Sequence, residues 1–135
     1  MADTFKFELV TPTRVLLEDE ILETVLPGTE GELGVMAGHD PLMTGLATGI
    51  VSVRSPGGTD RFFVSEGYVE ITGDRVLMLA EVAEHAKEID TERALAAKER
   101  AQERLKPPLA DDLDALRAEM ALKRALYRLQ LAEKS

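Results

Sequence analysis

All ten glycines and all four phenylalanines of this chain lie before Asp90, and so does every valine. From Asp90 onward Ala, Leu, Glu, Lys and Arg dominate, the residues that lose least on entering a helix. A chain written in two such vocabularies folds as two kinds of structure in series. The first stretch is rich in strand formers and glycine turns; the second has no glycine, valine or phenylalanine. The reading is an α+β protein with a β-domain over residues 1–87 and a helical part over 88–135.

The first part alternates. Phe5, Phe7 and Leu9 fall on one side of a strand, with Thr4, Lys6 and Glu8 on the other, the period of two of a half-buried strand. Thr11-Pro12-Thr13 is a turn. Arg14–Leu17 and Ile21–Leu26 read as separate strands divided by Glu18-Asp19-Glu20. Ile50–Arg54, Arg61–Val64, Tyr68–Thr72 and Arg75–Ala80 follow, punctuated by Ser55-Pro56-Gly57-Gly58 and Gly73-Asp74. Turns at intervals of roughly 8–12 residues are those of a small antiparallel sandwich or barrel. The pattern predicts about ten short strands.

Between those strands lies a segment with structure-breaking residues at close spacing. Gly31, Gly34, Gly38 and Pro41 punctuate the run Gly31–Thr44, with Glu32, His39 and Asp40 among small neighbours. Glycine admits positive φ and proline removes a donor, so this is a shaped turn-and-strand segment. On spacing alone it is a tight connection within the β-domain or a functional loop.

In the second part Asp90 is a plausible N-cap, and Glu92 sits where an acid complements the helix dipole. Lys106-Pro107-Pro108 ends that helix. Asp111 or Asp112 caps a second one that runs to about Ala132, giving an antiparallel two-helix hairpin. Its facing positions are mostly alanine: Ala94, Ala97 and Ala101 with Leu105 on the first helix, and Ala115, Ala118, Ala125 and Ala132 with Leu122 and Leu129 on the second. Burying one methyl group is worth about 0.8 kcal/mol, so such a hairpin is thinly held.

Charge is distributed unevenly. Residues 1–86 hold 5 Lys and Arg against 15 Asp and Glu, a net of −10, and residues 87–135 hold 11 against 10, a net of +1. An overall net charge of −9 argues against a nucleic-acid binder, whose phosphate contacts need clustered cations. The chain has no cysteine, so disulfides and thiolate metal sites are excluded. No apolar run reaches the ~20 residues of a membrane-spanning helix, and the N-terminus carries no cleavable signal pattern, so direct membrane insertion is not expected. There is no Gly-x-x-x-x-Gly-Lys-Ser/Thr phosphate loop and no Gly-x-Ser-x-Gly nucleophile turn. His39, Asp40 and His85 lack the local spacing of a metal site, and no metal is expected.

The arginines form a pattern. At 100° per residue, Arg93, Arg100 and Arg104 project within about 40° of one another. Arg117, Arg124 and Arg128 repeat the same offsets on the second helix. Two such stripes are either solvated faces or a place for an anion, because like charges brought together repel.

Gly31-Glu32-Leu33-Gly34 followed by Gly38-His39-Asp40-Pro41-Leu42 closely resembles the signature of the epsilon subunits of F-type ATP synthases. The resemblance continues through Ser65–Ile71, Val76–Glu81 and Ile89–Ala94, and covers essentially the whole chain in order. It implies an N-terminal β-sandwich and a C-terminal helical hairpin. It implies a non-catalytic rotor subunit of the central stalk of a proton-translocating ATP synthase, coupling the gamma subunit to the ring of c subunits. Hydrolysis and synthesis of ATP then belong to the alpha and beta subunits of the catalytic head. The location implied is peripheral, on the cytoplasmic face of a bacterial inner membrane.

Residue by residue, the resemblance places Glu32 near the rotor ring and His39 near gamma. Some members bind ATP through the motif Ile/Leu-Asp-x-x-Arg-Ala, which stands here as Ile89-Asp90-Thr91-Glu92-Arg93-Ala94, with Glu84, Arg100, Arg124 and Arg128 at matching positions. That implies regulatory ATP and no required cofactor. The hairpin of such proteins extends along gamma and brakes ATP hydrolysis, which would set Lys123, Arg124 and Arg128 against an acidic segment of a beta subunit. The alternatives from other classes are a free-standing adaptor, with a sandwich joined to a coiled-coil arm, and a small ATP-sensing protein acting alone.

Overall fold

A computed structural model describes residues 3–108 and 111–134. The chain divides into two compact units, one ending at His85 and one beginning at Ala86. The first holds eight strands: β1 (Phe5–Val10), β2 (Val15–Ile21), β3 (Glu23–Gly28), β4 (Gly31–Met36), β5 (Leu42–Leu46), β6 (Gly49–Ser55), β7 (Gly58–Ile71) and β8 (Arg75–His85). They hydrogen-bond in the order β2-β1-β8-β7-β5-β3-β4, with β6 paired to both β3 and β7. All pairs are antiparallel except β1 with β8, which is parallel. These two strands are far apart in the chain, so no tight turn dictates their relative direction.

The unit is folded over by a bend that crosses its two longest strands. Along β7, Phe62 and Val64 point into the core, and so do Val69 and Ile71. Sides alternate along a strand, so an odd interval between Val64 and Val69 means that the alternation slips once. Along β8 the core residues Val76, Met78 and Ala80 are followed by Ala83, the same slip. The two slips lie side by side, because Ser65 pairs with Val82 and Gly67 with Ala80. Backbone there is unusual: Glu66 has φ 54° and Gly67 φ 155°. On the other flank of β7, Leu46 pairs with Gly67 and Gly49 with Val64, so Ala47 and Thr48 fall opposite the same bend. Thr48 and the buried Ser65 share a hydroxyl–hydroxyl hydrogen bond of 2.9 Å there. Strands that change layers at such a corner let one sheet make both faces of a sandwich.

The expected ten becomes eight in part because β7 is one strand of 14 residues, where the sequence suggests two, Arg61–Val64 and Tyr68–Thr72. β2 runs straight through Glu18-Asp19-Glu20 to Ile21, so the break before β3 falls at Leu22 and two strands remain there. β2 lies at the margin of the sheet, and its acids are exposed and hydrated. Acids divide a strand only where their side chains would be buried.

The core is built from Phe5, Phe7, Leu9, Ile21, Leu26, Val51, Phe62 and Met78 among others. Thr24, a polar side chain fully enclosed there, donates its hydroxyl to the Ser52 carbonyl at 2.9 Å.

The second unit opens with a 3-10 turn (Ala86–Glu88) and continues as α1 (Thr91–Arg104) and α2 (Asp112–Lys134). Asp90 caps α1 through its carboxylate, which accepts from the backbone N–H of Arg93 at 3.0 Å. Of the two acids that could cap α2, Asp111 does so, accepting from the N–H of Asp114 at 2.7 Å. The helices pack through an alanine seam: Ala94 and Ala101 on α1 and Ala118 and Ala125 on α2 are all buried. Leu131 is also completely buried. It lies off the line of seam alanines, so the repeat in the sequence did not flag it.

Candidate functional sites

The Gly31–Thr44 segment folds as β4, a short turn and β5. Register sets Glu32 opposite Pro27 near one end of β4 and Met36 opposite Glu23 at the other. His39 follows in the turn beyond Met36. Four residues of strand rise about 13 Å, so Glu32 and His39 occupy opposite ends of the segment. They do not form one site. Gly38, with φ 81°, closes the turn, and its N–H donates to the Gly73 carbonyl at 3.1 Å. The His39 ring lies 2.7 Å from the Asp40 carbonyl through Nδ1. A carbonyl can only accept, so Nδ1 carries the proton and Nε2 is left for another partner. Glu32 is exposed on the rim of a cavity of about 350 Å³ that Gly28, Leu33 and Leu42 also line. Sequence reading missed the apolar exposure here: Met36 is 57% and Met43 67% exposed. A methionine in a strand reads as core unless its side of the sheet is known.

On the hairpin, an arginine immediately precedes each seam alanine: Arg93 before Ala94, Arg100 before Ala101, Arg117 before Ala118 and Arg124 before Ala125. Antiparallel helices that meet through one seam are related by a two-fold axis normal to their common plane. Residues the same step from the seam therefore fall on one face of the pair. Arg104 and Arg128, each three residues past a seam alanine, share that flank at 100° per residue. Arg93, Arg100 and Arg104 are exposed, while Arg124 and Arg128 are half-buried. Arg93, Arg100, Arg104 and Arg124 make no ion pair among the described residues. Near the turn between the helices a cavity of about 470 Å³ is lined by Arg104, Lys106 and Arg117, with Glu103 and Asp114. Lys106 is held by Glu103 at 3.0 Å, and Arg117 by Asp114 at 4.0 Å. Lys123 is exposed and lies next to Arg124.

The Ile89–Ala94 motif divides into two parts. Asp90 is a helix cap and Ala94 a seam residue, so both positions have structural work without any ligand. Arg93 contributes its backbone N–H to the cap and leaves its guanidinium in solvent. Ile89 is half-buried, its N–H 3.4 Å from the Ala86 carbonyl. Glu84 is half-buried on β8, in the first unit. Asp90→Ala is expected to destabilise α1 by about 1 kcal/mol, the usual worth of a cap. Asp90→Ser, which keeps an acceptor, should restore most of it; helicity followed by circular dichroism through a thermal melt measures both.

His85 is engaged elsewhere. Its Nε2 lies 3.0 Å from the Asp60 carboxylate, and its ring meets Phe62 edge-on at 5.1 Å. Among the described residues no group of three His, Asp or Glu is gathered to hold a metal. No helix there is long and apolar enough to cross a membrane.

The chain is thus a strongly bent sandwich followed by a helical hairpin with arginines along one face. Comparison with known proteins gives its family. The family described as "ATP synthase, Delta/Epsilon chain, beta-sandwich domain" matches residues 4–86, and its companion long alpha-helix domain matches residues 87–133. The chain belongs to the ATP synthase delta/epsilon family. It is 46% identical over 132 residues to the ATP synthase epsilon chain of Syntrophomonas wolfei, covering 97% of this chain and 96% of that one. It is 42% identical to that of Desulforamulus reducens, covering 98% and 100%. A chain in the Euglena gracilis mitochondrial ATP synthase structure of OSCP, F1 and c-ring superposes with TM-score 0.82 at 26% identity, covering 98% of this chain and 82% of that one. A chain of the Tetrahymena thermophila central stalk and c-ring shares the fold at TM-score 0.60 and 16% identity, covering 96% and 94%.

Proposed function

We propose that this chain is the epsilon subunit of a rotary ATP synthase: a non-catalytic part of the central stalk, peripheral to the membrane. The observation that carries the reading is the full-length match to epsilon chains across both units, at 46% identity. In this role the sandwich couples gamma to the c-ring through the two ends of the Gly31–Thr44 segment, Glu32 toward the ring and His39 toward gamma. Exposed Met36, Leu42 and Met43 supply the apolar area that such a contact buries. In a bacterial cell the site of action is the cytoplasmic face of the inner membrane. The hairpin is regulatory. Detached from the sandwich it brakes ATP hydrolysis, with Lys123, Arg124 and Arg128 facing an acidic segment of a beta subunit.

Tagged chain expressed in a host lacking its own copy should co-purify with the detergent-extracted synthase. Glu32→Lys and His39→Ala are each expected to lower the amount retained by tenfold or more, the effect of losing about 1.4 kcal/mol. Melting of the isolated variants should stay within a few degrees of wild type, because both side chains are at the surface. A variant that retains full assembly removes that residue from the contact; one that fails to fold alone makes its role structural.

A second reading has its own support. Arg93, Arg100 and Arg104 on α1 and Arg124 on α2, none ion-paired among the described residues, share one face of the hairpin and suit a polyanion across both helices. We infer that this ligand is regulatory ATP, and that it favours the folded-down hairpin.

A further inference from the structure

Each exposed methionine of the sandwich has a glutamate directly across from it on the next strand. Met43 on β5 pairs with Glu70 on β7, and Met36 on β4 pairs with Glu23 on β3. Residues opposite one another in an antiparallel pair share a face, with Cβ atoms about 5 Å apart. These pairs face outward, since Val35 beside Met36 and Val69 beside Glu70 are in the core. Met43 is 67% and Met36 57% exposed, whereas Met78 is completely buried. The two carboxylates differ. Glu23 is held by Arg54 at 3.6 Å. Glu70 is exposed and makes no ion pair among the described residues. Met120 on α2 is 39% exposed. Its neighbours three and four residues away are Arg117, Lys123 and Arg124, with Leu116.

These surroundings rank the sulfurs by reactivity toward a peroxide. In that reaction a sulfur lone pair attacks one oxygen of hydrogen peroxide, an S–O bond forms and the O–O bond breaks. Sulfur loses two electrons and the peroxide gains them. The proton on the transferred oxygen passes to the hydroxide released, which leaves as water. Positive charge develops on sulfur along the way, so a nearby carboxylate favours the step and a nearby cation opposes it. Met43 combines the greatest exposure with a carboxylate that no cation holds. Met36 has a carboxylate already neutralised by Arg54, Met120 stands among cations, and Met78 is out of reach. The chain has no cysteine, so no thiol of its own competes for the oxidant.

We propose that Met43 is a reversible oxidation site, converted to its sulfoxide by hydrogen peroxide with help from Glu70, and that the sulfoxide loosens the ring-side contact of the sandwich. The effect on the contact rests on the reading of Gly31–Thr44 given above. Met43 lines the same cavity as Glu32, with Leu33 and Leu42. A thioether there adds apolar area. A sulfoxide brings a strong hydrogen-bond acceptor that the contact must desolvate. Docking covers the side chain, so oxidation acts on the chain before assembly. Return to the thioether takes two thiols, which form a disulfide while the oxygen leaves as water; a separate dithiol reductase supplies them.

The test treats the full chain with hydrogen peroxide and follows its peptides by mass spectrometry. Met43 is expected to gain oxygen several-fold faster than Met36 or Met120, and Met78 to react last. Glu70→Gln should slow Met43 several-fold and leave Met36 and Met120 unchanged, and added salt should narrow the gap. Retention by the detergent-extracted synthase is then measured, each sample against its own untreated control. Oxidised wild type should be retained at least tenfold less, while peroxide should change retention of Met43→Leu little. Methionine sulfoxide reductases with dithiothreitol should restore the wild type. Met43 reacting no faster than Met120, or a rate indifferent to Glu70→Gln, overturns the proposal. So does undiminished retention of chain oxidised at Met43, or an equal loss in Met43→Leu. An untreated chain that does not co-purify overturns the rotary reading and the switch with it, a failure told apart because it precedes any oxidation.

Discussion

Gly67→Ala unfolds the sandwich or costs it more than about 4 kcal/mol, the range reserved for a small set of severe mechanisms. A Cβ built at Gly67 would lie 1.8 Å from the carbonyl oxygen of Leu79, 2.9 Å from its carbon and 3.0 Å from the Ala80 Cα. All three are backbone atoms of β8, which pairs with β7 on both sides of the bend. No rotamer change relieves the clash, so one strand must move away from the other. The φ of 155° adds strain of its own for any residue with a Cβ. The displacement falls at the bend through which both long strands pass between layers, so it cannot stay local. Gly73→Ala is the matched control. Nothing lies within 4 Å of a Cβ there, and the change should stay within about 0.5 kcal/mol of wild type. Urea denaturation followed by circular dichroism compares the two. A Gly67→Ala protein within 1 kcal/mol of wild type would show that β7 and β8 separate easily, contrary to this account of the bend.

The bend was the part of the fold that the sequence concealed. Alternation located the strands, because each half of β7 and β8 keeps period two by itself. It could not show that Val64 and Val69 face the same core, since the slip at Glu66-Gly67 depends on which layer each half joins. One strand was therefore divided into Arg61–Val64 and Tyr68–Thr72. The helical part was more legible. Asp90 as a cap and the alanine repeat as a seam follow from local rules that tertiary structure left intact. Arginine spacing was visible too, but not its meaning. That both stripes share one face follows only once Ala94, Ala101, Ala118 and Ala125 are known to be the seam. In the Gly31–Thr44 segment the spacing of glycines announced a shaped element. Only the length of β4 separated Glu32 from His39.

ATP added to the isolated chain is expected to bind the hairpin, and Arg93→Ala or Arg124→Ala to weaken binding by roughly 10- to 150-fold, the loss of about 1.5–3 kcal/mol for one charge-assisted contact. The geometry makes these two substitutions clean. Arg93 serves the α1 cap through its backbone N–H, which alanine keeps, and its side chain is exposed. Arg124 lies beside seam residue Ala125 and makes no ion pair among the described residues. Alanine favours helix at both positions, so stability should hold or rise. Asp90 is a poorer probe, because removing its carboxylate also removes the cap. Six arginines on one face repel one another unless an anion lies between them or water screens them. A polyphosphate that bridges both helices stabilises only the state in which the helices are together, and shifts the hairpin by its differential affinity. The seam opposes this little, since alanines bury little area. Abundant ATP would then keep the hairpin folded, and scarcity would release it to brake hydrolysis. Calorimetric titration of wild type and both variants, with and without magnesium, measures the effect. An absence of heat and of thermal shift at several millimolar ATP would leave the arginine face solvated and the regulatory reading without its ligand. Equal affinity in wild type and both variants would put the nucleotide somewhere other than the hairpin.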